Sequence, residues 1–276
     1  MIIAGMKQAI QRLLGAAGYR ITRVPIANAS LPPVPSDPAV PIASDPASYD
    51  ADGLTVRHKQ VPFLSNPRFI AAYRRAMESG HPFGHGLHIE WRIAVACWAG
   101  IHASKLPGDF VECGVCTGMV SLAVCDYVDF NRTGKTFYLI DTFRGVPEEQ
   151  VEPDHLATVR RFNAQFYERD NYERACANFR AFPRASVIRG TVPDILPSLG
   201  IGAISYLHLD MNTAYPERAA IEYLWPKLSP GAFVLLDDYG WHGHERQASA
   251  LDEFARNTGV EILSLPTGQG LLAKPN

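Results

Sequence analysis

The sequence predicts an α/β protein with a Rossmann-like, doubly wound, mostly parallel sheet of seven strands and an N-terminal helical extension. Three observations support this fold class. Short apolar runs alternate with helix-like segments from Gly108 to the C-terminus, which is typical of a parallel sheet. The first apolar run opens into a turn with two glycines, Gly114 and Gly118, before a helix. A chain of 276 residues, 47% of them hydrophobic, can also bury the core of one large domain.

The strands are predicted where apolar runs of strand length end at turn-forming or acidic residues. They cover residues 110–115, 136–140, 186–189, 203–210, 232–237, 261–265 and 271–274. Helices are predicted between the first six strands, so residues 108–276 form one domain. The stretch 143–170 is too long for a simple loop and is rich in charged residues, which favours an active-site cover.

Three segments precede this domain. Residues 1–24 have apolar residues at helical spacing with basic residues between them, which predicts an amphipathic helix too short to span a membrane. Such a helix can lie on a membrane surface, but packing on its own protein or on a sister subunit is favoured. Residues 25–56 form a proline-rich arm that could support a homo-oligomer. Residues 57–107 form a helical cover, with helices at 66–79 and 89–104 around a histidine-rich loop.

Composition limits the range of functions. The net charge of -2 argues against general binding of nucleic acid. The five cysteines are odd in number and are not spaced as a disulfide framework, so a reduced, cytoplasmic compartment is expected.

The glycine turn indicates a nucleotide-like cofactor. Gly114 and Gly118 would let the backbone approach a ligand, although glycines in such a turn also serve close packing. Glu112, at the end of the first strand, would repel a pyrophosphate but would attract the ammonium group of S-adenosylmethionine. Asp141 ends the second strand, where an acid can hold ribose hydroxyls. NAD therefore remains an alternative that Glu112 and the absence of a Gly-x-Gly-x-x-Gly motif disfavour.

Three more acids end the later strands. Asp210, Asp237 and Asp238 should meet at the carboxyl edge of the sheet and repel each other unless a cation is bound there. Oxygen ligands suit a hard cation such as Mg²⁺, although the same acids could cap helices. His242 and His244 follow these acids, and either could act as a general base or stabilise the next helix.

Four segments resemble class I S-adenosylmethionine-dependent methyltransferases, and most of all the macrocin O-methyltransferase group. They are Val-Glu-Cys-Gly from Val111, Leu-Ile-Asp-Thr-Phe-Arg-Gly-Val-Pro from Leu139, Leu-His-Leu-Asp from Leu207, and Leu-Leu-Asp-Asp-Tyr-Gly from Leu235. The resemblance implies S-adenosyl-L-methionine as methyl donor, Mg²⁺ as metal and a hydroxyl of a sugar or natural product as acceptor. It implies that the cofactor contacts lie at Glu112, Gly114, Gly118, Asp141, Thr142 and Phe143, and the metal ligands at Asp210, Asp237 and Asp238.

The chain departs from that pattern at one point. After the first metal acid the family often has a small residue and a second aspartate, whereas this chain has Met211 and Asn212.

The expected function is an O-methyltransferase, with Asp210, His242 and His244 as candidate catalytic residues. An NAD-linked oxidoreductase and a non-catalytic cofactor-binding protein are the alternatives.

Overall fold

The fold is described by a computed structural model for residues 46–83 and 86–276. The predicted amphipathic helix, most of the proline-rich arm and His85 lie outside these residues, as does the predicted role of the arm in assembly.

A seven-stranded sheet forms the centre of the described chain and confirms the predicted fold class. The strands are β3 (Asp109–Cys113), β4 (Phe137–Asp141), β5 (Ala185–Arg189), β6 (Ile204–Leu209), β7 (Leu228–Leu236), β8 (Leu263–Ser264) and β9 (Gly270–Ala273). Their order in the sheet is β5-β4-β3-β6-β7-β9-β8, and the first five strands in this order run parallel. The last two strands are antiparallel to their neighbours.

Helices cover both faces of this sheet because its parallel strands are apolar on both sides. They are α1 (Pro67–Met77), α2 (Glu90–Ala103), α3 (Met119–Val128), α4 (Leu156–Phe166), α5 (Tyr172–Asn178), α6 (Ala214–Leu224) and α7 (Glu245–Thr258). Alternate residues of one strand enter different cores: Phe110 packs with residues of α2, α3 and α5, whereas Val111 packs with residues of α6 and α7. Every predicted strand lies within a few residues of an observed one.

A hairpin precedes the helices and was not predicted. Its strands are β1 (Tyr49–Ala51) and β2 (Leu54–Val56), within the stretch assigned to the proline-rich arm. The turn residues Asp52 and Gly53 both have positive φ, at 54° and 72°, which is the conformation of the two-residue Asp-Gly hairpin turn. An isolated hairpin is marginally stable, so it depends on α2: the Tyr49 hydroxyl donates to Glu90 and the Tyr49 ring packs edge-on against Trp91.

No helix within the described ranges is long and apolar enough to cross a membrane. The segment after β4, predicted as a cover, contains α4 and folds over the carboxyl edge of the sheet, where Phe162 and Tyr167 line a cavity.

Candidate active site

Two cavities meet above the carboxyl ends of the parallel strands. The first lies over β4, is lined by Asp141, Thr142 and Gly145 among others, and has about 430 Å³ of empty space, part of it open to solvent. The second lies over β6 and β7 and has about 1290 Å³ of empty space, again partly open to solvent. Both walls contain Gly114, Tyr167, Asp210 and Asn212, so the cavities adjoin at this point. Ligands of open parallel sheets bind at this edge.

The two predicted glycines are required by close packing within the protein. A Cβ on Gly114 would lie 1.8 Å from the backbone oxygen of Asp210, and one on Gly118 would lie 2.3 Å from the Phe179 ring. Both residues have positive φ, at 91° and 86°. Gly114 also lines both cavities, so packing and ligand access coincide there. For Gly118 the structure supports packing, the alternative noted from the sequence.

Asp141 organises the first cavity. Its Oδ2 accepts hydrogen bonds from the backbone N–H groups of Val115 and Cys116 at 2.6 and 2.7 Å, and its Oδ1 accepts from Phe143 N–H at 2.7 Å. The carboxylate therefore joins the glycine turn to the loop after β4. A ribose diol at this position would share these two oxygens with the backbone donors.

Thr142 and Phe143 behave differently from each other. Thr142 lines the first cavity, and its hydroxyl donates to the carbonyl of Gly145 at 2.7 Å. The Phe143 side chain is fully buried in the core against Tyr172, and only its backbone N–H reaches Asp141. Phe143 is not among the residues that line the two cavities, so its predicted cofactor contact stays a prediction.

Glu112 lies beneath the site and does not line either cavity wall. It is 2% exposed, and its Oε1 is 2.8 Å from Nδ1 of His208, which is fully buried in β6. Burial raises the pKa of Glu112, and His208 opposes this shift. The predicted contact of Glu112 with a cofactor stays a prediction, because the charge that motivated it already faces His208.

The three predicted metal acids lie at the junction and in the second cavity. Burial and the charges of Asp237 and Asp238 raise the pKa of Asp210 well above its usual value. Burial, followed by the charge of Asp237, raises the pKa of Asp238 to about 6. This mutual repulsion is what the sequence predicted for acids at one sheet edge.

Asp237 has basic partners that the sequence did not indicate. Arg92 Nη1 donates to Asp237 Oδ2 at 3.1 Å, and Gln269 Nε2 donates to its Oδ1 at 2.8 Å. His208 Nε2 lies 3.6 Å from the same Oδ1. Burial opposes ionisation of Asp237, but these neighbours outweigh burial and hold its pKa below the usual value.

Some carboxylate oxygens of this acidic cluster are free to bind a hard cation, and others are already hydrogen-bonded. Within the described ranges, no three His, Cys, Asp or Glu side chains are arranged as a metal site. Yet Asp238 Oδ2 is buried without a hydrogen-bond partner. Asp210 Oδ1 accepts a long hydrogen bond from the Asn212 amide, at 3.4 Å. These two carboxylates therefore have oxygens available for Mg²⁺, whereas Asp237 shares its oxygens with Arg92 and Gln269.

The two predicted histidines differ in how they are held. His242 is fully exposed, and its nearest acid is Glu245 at 3.8 Å. His244 has a side-chain exposure of 26%, and its Nδ1 lies 2.5 Å from Gln247 Oε1. Both line the second cavity.

Several site residues were missed in the sequence. Asp52 and Arg92 form a partly buried, two-pronged ion pair, and the Arg92 guanidinium lies 4.8 Å from the ring centre of Trp241. Glu217 and Gln247 lie beneath the loop after β6. Two signals were available: Arg92 is a charged residue in a largely apolar helix, and Asp52-Gly53 is a hairpin-turn sequence.

Comparison with known proteins identifies the family. The macrocin-O-methyltransferase (TylF) family model matches residues 55–263. The chain belongs to this family. The match begins within the hairpin, at Thr55, so Asp52 lies before it.

Individual relatives agree with this assignment. The chain is 30% identical over 153 residues to 8-demethyl-8-(2,3-dimethoxy-alpha-L-rhamnosyl)-tetracenomycin-C 4'-O-methyltransferase from Streptomyces olivaceus, covering 52% of this chain and 57% of that protein. It is 25% identical over 151 residues to demethyldecarbamoylnovobiocin O-methyltransferase from Streptomyces niveus, with the same two shares. The matched stretch thus spans little more than half of either relative.

A solved structure supports the fold. The O-methyltransferase NovP superposes with a TM-score of 0.60 at 21% identity, covering 70% of this chain and 84% of that chain.

Proposed function

We propose that the protein transfers the methyl group of S-adenosyl-L-methionine to a hydroxyl of a neutral sugar or related natural product. The observation that carries this proposal is the junction of two cavities at Gly114, Asp210 and Asn212. A transfer reaction needs a donor and an acceptor bound side by side, and alignment of the two can contribute about 7–11 kcal/mol. Family membership supports methyl transfer as the reaction.

The first cavity is proposed to bind the methyl donor. Asp141 would hold the ribose, with Gly114 and Thr142 in the adjoining wall. Glu112 would act from below, through its carboxylate behind the glycine turn. The second cavity would take the acceptor, and its larger volume suits a sugar on a larger scaffold.

A divalent cation such as Mg²⁺ is proposed at the acids of the junction. Asp210 and Asp238 would be the main ligands, with Asp237 contributing the lone pairs that Arg92 and Gln269 leave free. Bound there, the cation would lower the pKa of the acceptor hydroxyl and orient it. The raised pKa values of Asp210 and Asp238 support this, because they arise from burial and then from repulsion between the acids, and a cation would relieve that repulsion.

The charges of the second cavity favour a neutral acceptor. Among its described lining residues there is one arginine and no lysine, and Arg92 is already paired with Asp52 and Asp237. A sugar diphosphate would therefore meet carboxylates without a free cation from these residues. We expect the protein to prefer a glycoside over a nucleotide-linked sugar.

The proposal is tested by methyl transfer to methyl α-L-rhamnopyranoside, a probe suggested by the rhamnosyl acceptor of the tetracenomycin relative. The protein is incubated with S-adenosylmethionine, Mg²⁺ and the probe, and products are measured by mass spectrometry. We expect S-adenosylhomocysteine and a mono-O-methyl rhamnoside in equal amounts. Parallel calorimetry with NAD and S-adenosylhomocysteine checks the alternative: binding of NAD and not of S-adenosylhomocysteine would overturn the proposal.

A further inference from the structure

The presence of Asn212 bears on which residue accepts the proton that methyl transfer releases. Methylation of a hydroxyl releases one proton, which a side chain near the acceptor has to take up. Asn212 lies at the junction of the two cavities, where the family often has an aspartate. Its amide cannot accept a proton, so the base must lie elsewhere in the wall.

Three described histidines line the acceptor cavity, and they differ in their exposure and in their hydrogen-bond partners. Burial lowers the pKa of His81 to about 4, and its Nδ1 accepts from Phe83 N–H at 3.3 Å. His242 is fully exposed, so its imidazole is not held in one orientation. His244 is largely buried and has a close hydrogen-bond partner on one ring nitrogen.

A chain of hydrogen bonds determines which nitrogen of His244 carries a proton. Glu217 is buried, and its Oε1 accepts from Met211 N–H at 3.0 Å and from Gln247 Nε2 at 2.9 Å. The Gln247 amide is thus oriented with its NH₂ toward Glu217 and its carbonyl oxygen toward His244. Because that oxygen can only accept, His244 Nδ1 must donate, and the neutral ring keeps a lone pair on Nε2.

We propose that His244 is the general base of the transfer and that Gln247 and Glu217 are positioning residues that hold it in the Nδ1–H tautomer. This rests on the proposed function. The acceptor oxygen forms a bond to the methyl carbon as the carbon–sulfur bond of S-adenosylmethionine breaks, which leaves neutral S-adenosylhomocysteine. The hydroxyl proton passes to Nε2 of His244. The resulting imidazolium then releases its proton to solvent through the exposed part of its ring.

The tautomer can be tested without turnover. Long-range ¹H–¹⁵N spectra of the full chain labelled at histidine, recorded where the imidazole is neutral, distinguish the protonated nitrogen from the bare one. His244→Ala assigns the signals. We expect the proton on Nδ1 in the wild type and in Ser249→Ala, an exposed control on the same helix. In Gln247→Met we expect a mixture of tautomers. A proton on Nε2 in the wild type, or an unchanged tautomer in Gln247→Met, would overturn the relay.

Kinetics with methyl α-L-rhamnopyranoside test the base role. His244→Ala should lower kcat by about 100-fold or more and Gln247→Met by about 10-fold. The KM for the probe and the affinity for S-adenosylhomocysteine should change little, because a positioning defect acts on the transfer step. If the wild type transfers no methyl group, the proposed function fails and the base role fails with it. If the wild type is active and His244→Ala keeps its kcat, the base role alone is wrong.

Discussion

The acidic side chains of the two cavities have different kinds of hydrogen-bond partner. In the proposed donor cavity, Asp141 accepts three backbone N–H bonds from the glycine turn and from its own loop. In the proposed acceptor cavity, Asp237 is held by side chains that are far away in sequence, Arg92 and Gln269. The proposed donor side is thus organised by backbone groups of two loops, whereas the proposed acceptor side is assembled from side chains that only the tertiary structure brings together.

The glycine turn at the junction of the two cavities should tolerate added volume poorly. Gly114→Ala would place a Cβ 1.8 Å from the Asp210 carbonyl oxygen, and backbone cannot move aside as a side chain can. Gly134→Ala is the matched control, since Gly134 also has positive φ, at 72°, but nothing lies within 4 Å of its Cβ position. We expect the control to lose about 1–2 kcal/mol of stability from its backbone conformation alone.

For Gly114→Ala we expect a much larger loss, seen as insoluble protein or as a melting temperature far below that of the control. Equal melting temperatures for the two variants would show that the turn relaxes and that the close contact is unimportant.

The acceptor side should depend on the ion pairs of Arg92. Arg92→Met leaves the partly buried Asp52 and the buried Asp237 without their cation, and we expect a loss of about 3–5 kcal/mol in the free energy of unfolding. Arg132→Met is the control, because Arg132 pairs with Asp129 on the surface and should contribute about 1 kcal/mol or less. Chemical denaturation measures both. A loss in Arg92→Met no larger than in the control would mean that the hairpin tip and Asp237 do not need this arginine.

The difference between the backbone contacts of Asp141 and the long-range side-chain contacts of Asp237 explains which site residues the sequence could predict. The seven strands were found because buried parallel strands are continuous apolar runs, and Asp141 was found because it ends one of them. The hairpin was missed because its strands have three residues each, although Asp52-Gly53 was a usable turn signal.

The partners of the acceptor acids could not be predicted in the same way. Arg92 and Asp237 are 145 positions apart, and no spacing rule connects them. Likewise, the chain from Glu217 through Gln247 to His244 exists only once α6 and α7 pack together. The histidines could be proposed from their place after β7, but choosing between His242 and His244 required their exposure and partners.

The buried carboxyls of the acceptor side should make the stability of the protein depend on pH. Burial, followed by the charge of Asp238, raises the pKa of Glu217 from 4.5 to about 8. The pKa of Asp238 is raised from 3.8 to about 6. A carboxyl whose folded-state pKa is raised stabilises the protonated folded state, and this contribution is lost as pH rises through the raised value.

Without divalent cations, the melting temperature should therefore fall between about pH 4 and pH 8 through these groups. Glu217→Gln should flatten the upper part of this fall, and Asp126→Asn, a change on the distant helix α3, should leave it unchanged. Wild-type and Glu217→Gln curves of identical slope would show that Glu217 does not titrate in this range.

The most direct test compares Asp141→Asn with Asp238→Asn in two measurements on each protein, S-adenosylhomocysteine affinity by calorimetry and methyl transfer to methyl α-L-rhamnopyranoside with Mg²⁺. If the cavities have separate roles, Asp141→Asn weakens the affinity by about 10-fold or more, in line with about 1.4 kcal/mol for a lost charge-assisted hydrogen bond. Asp238→Asn should leave that affinity nearly unchanged and lower turnover by about 100-fold or more. If both variants lose affinity and turnover in the same proportion, the division into a donor side and an acceptor side is wrong.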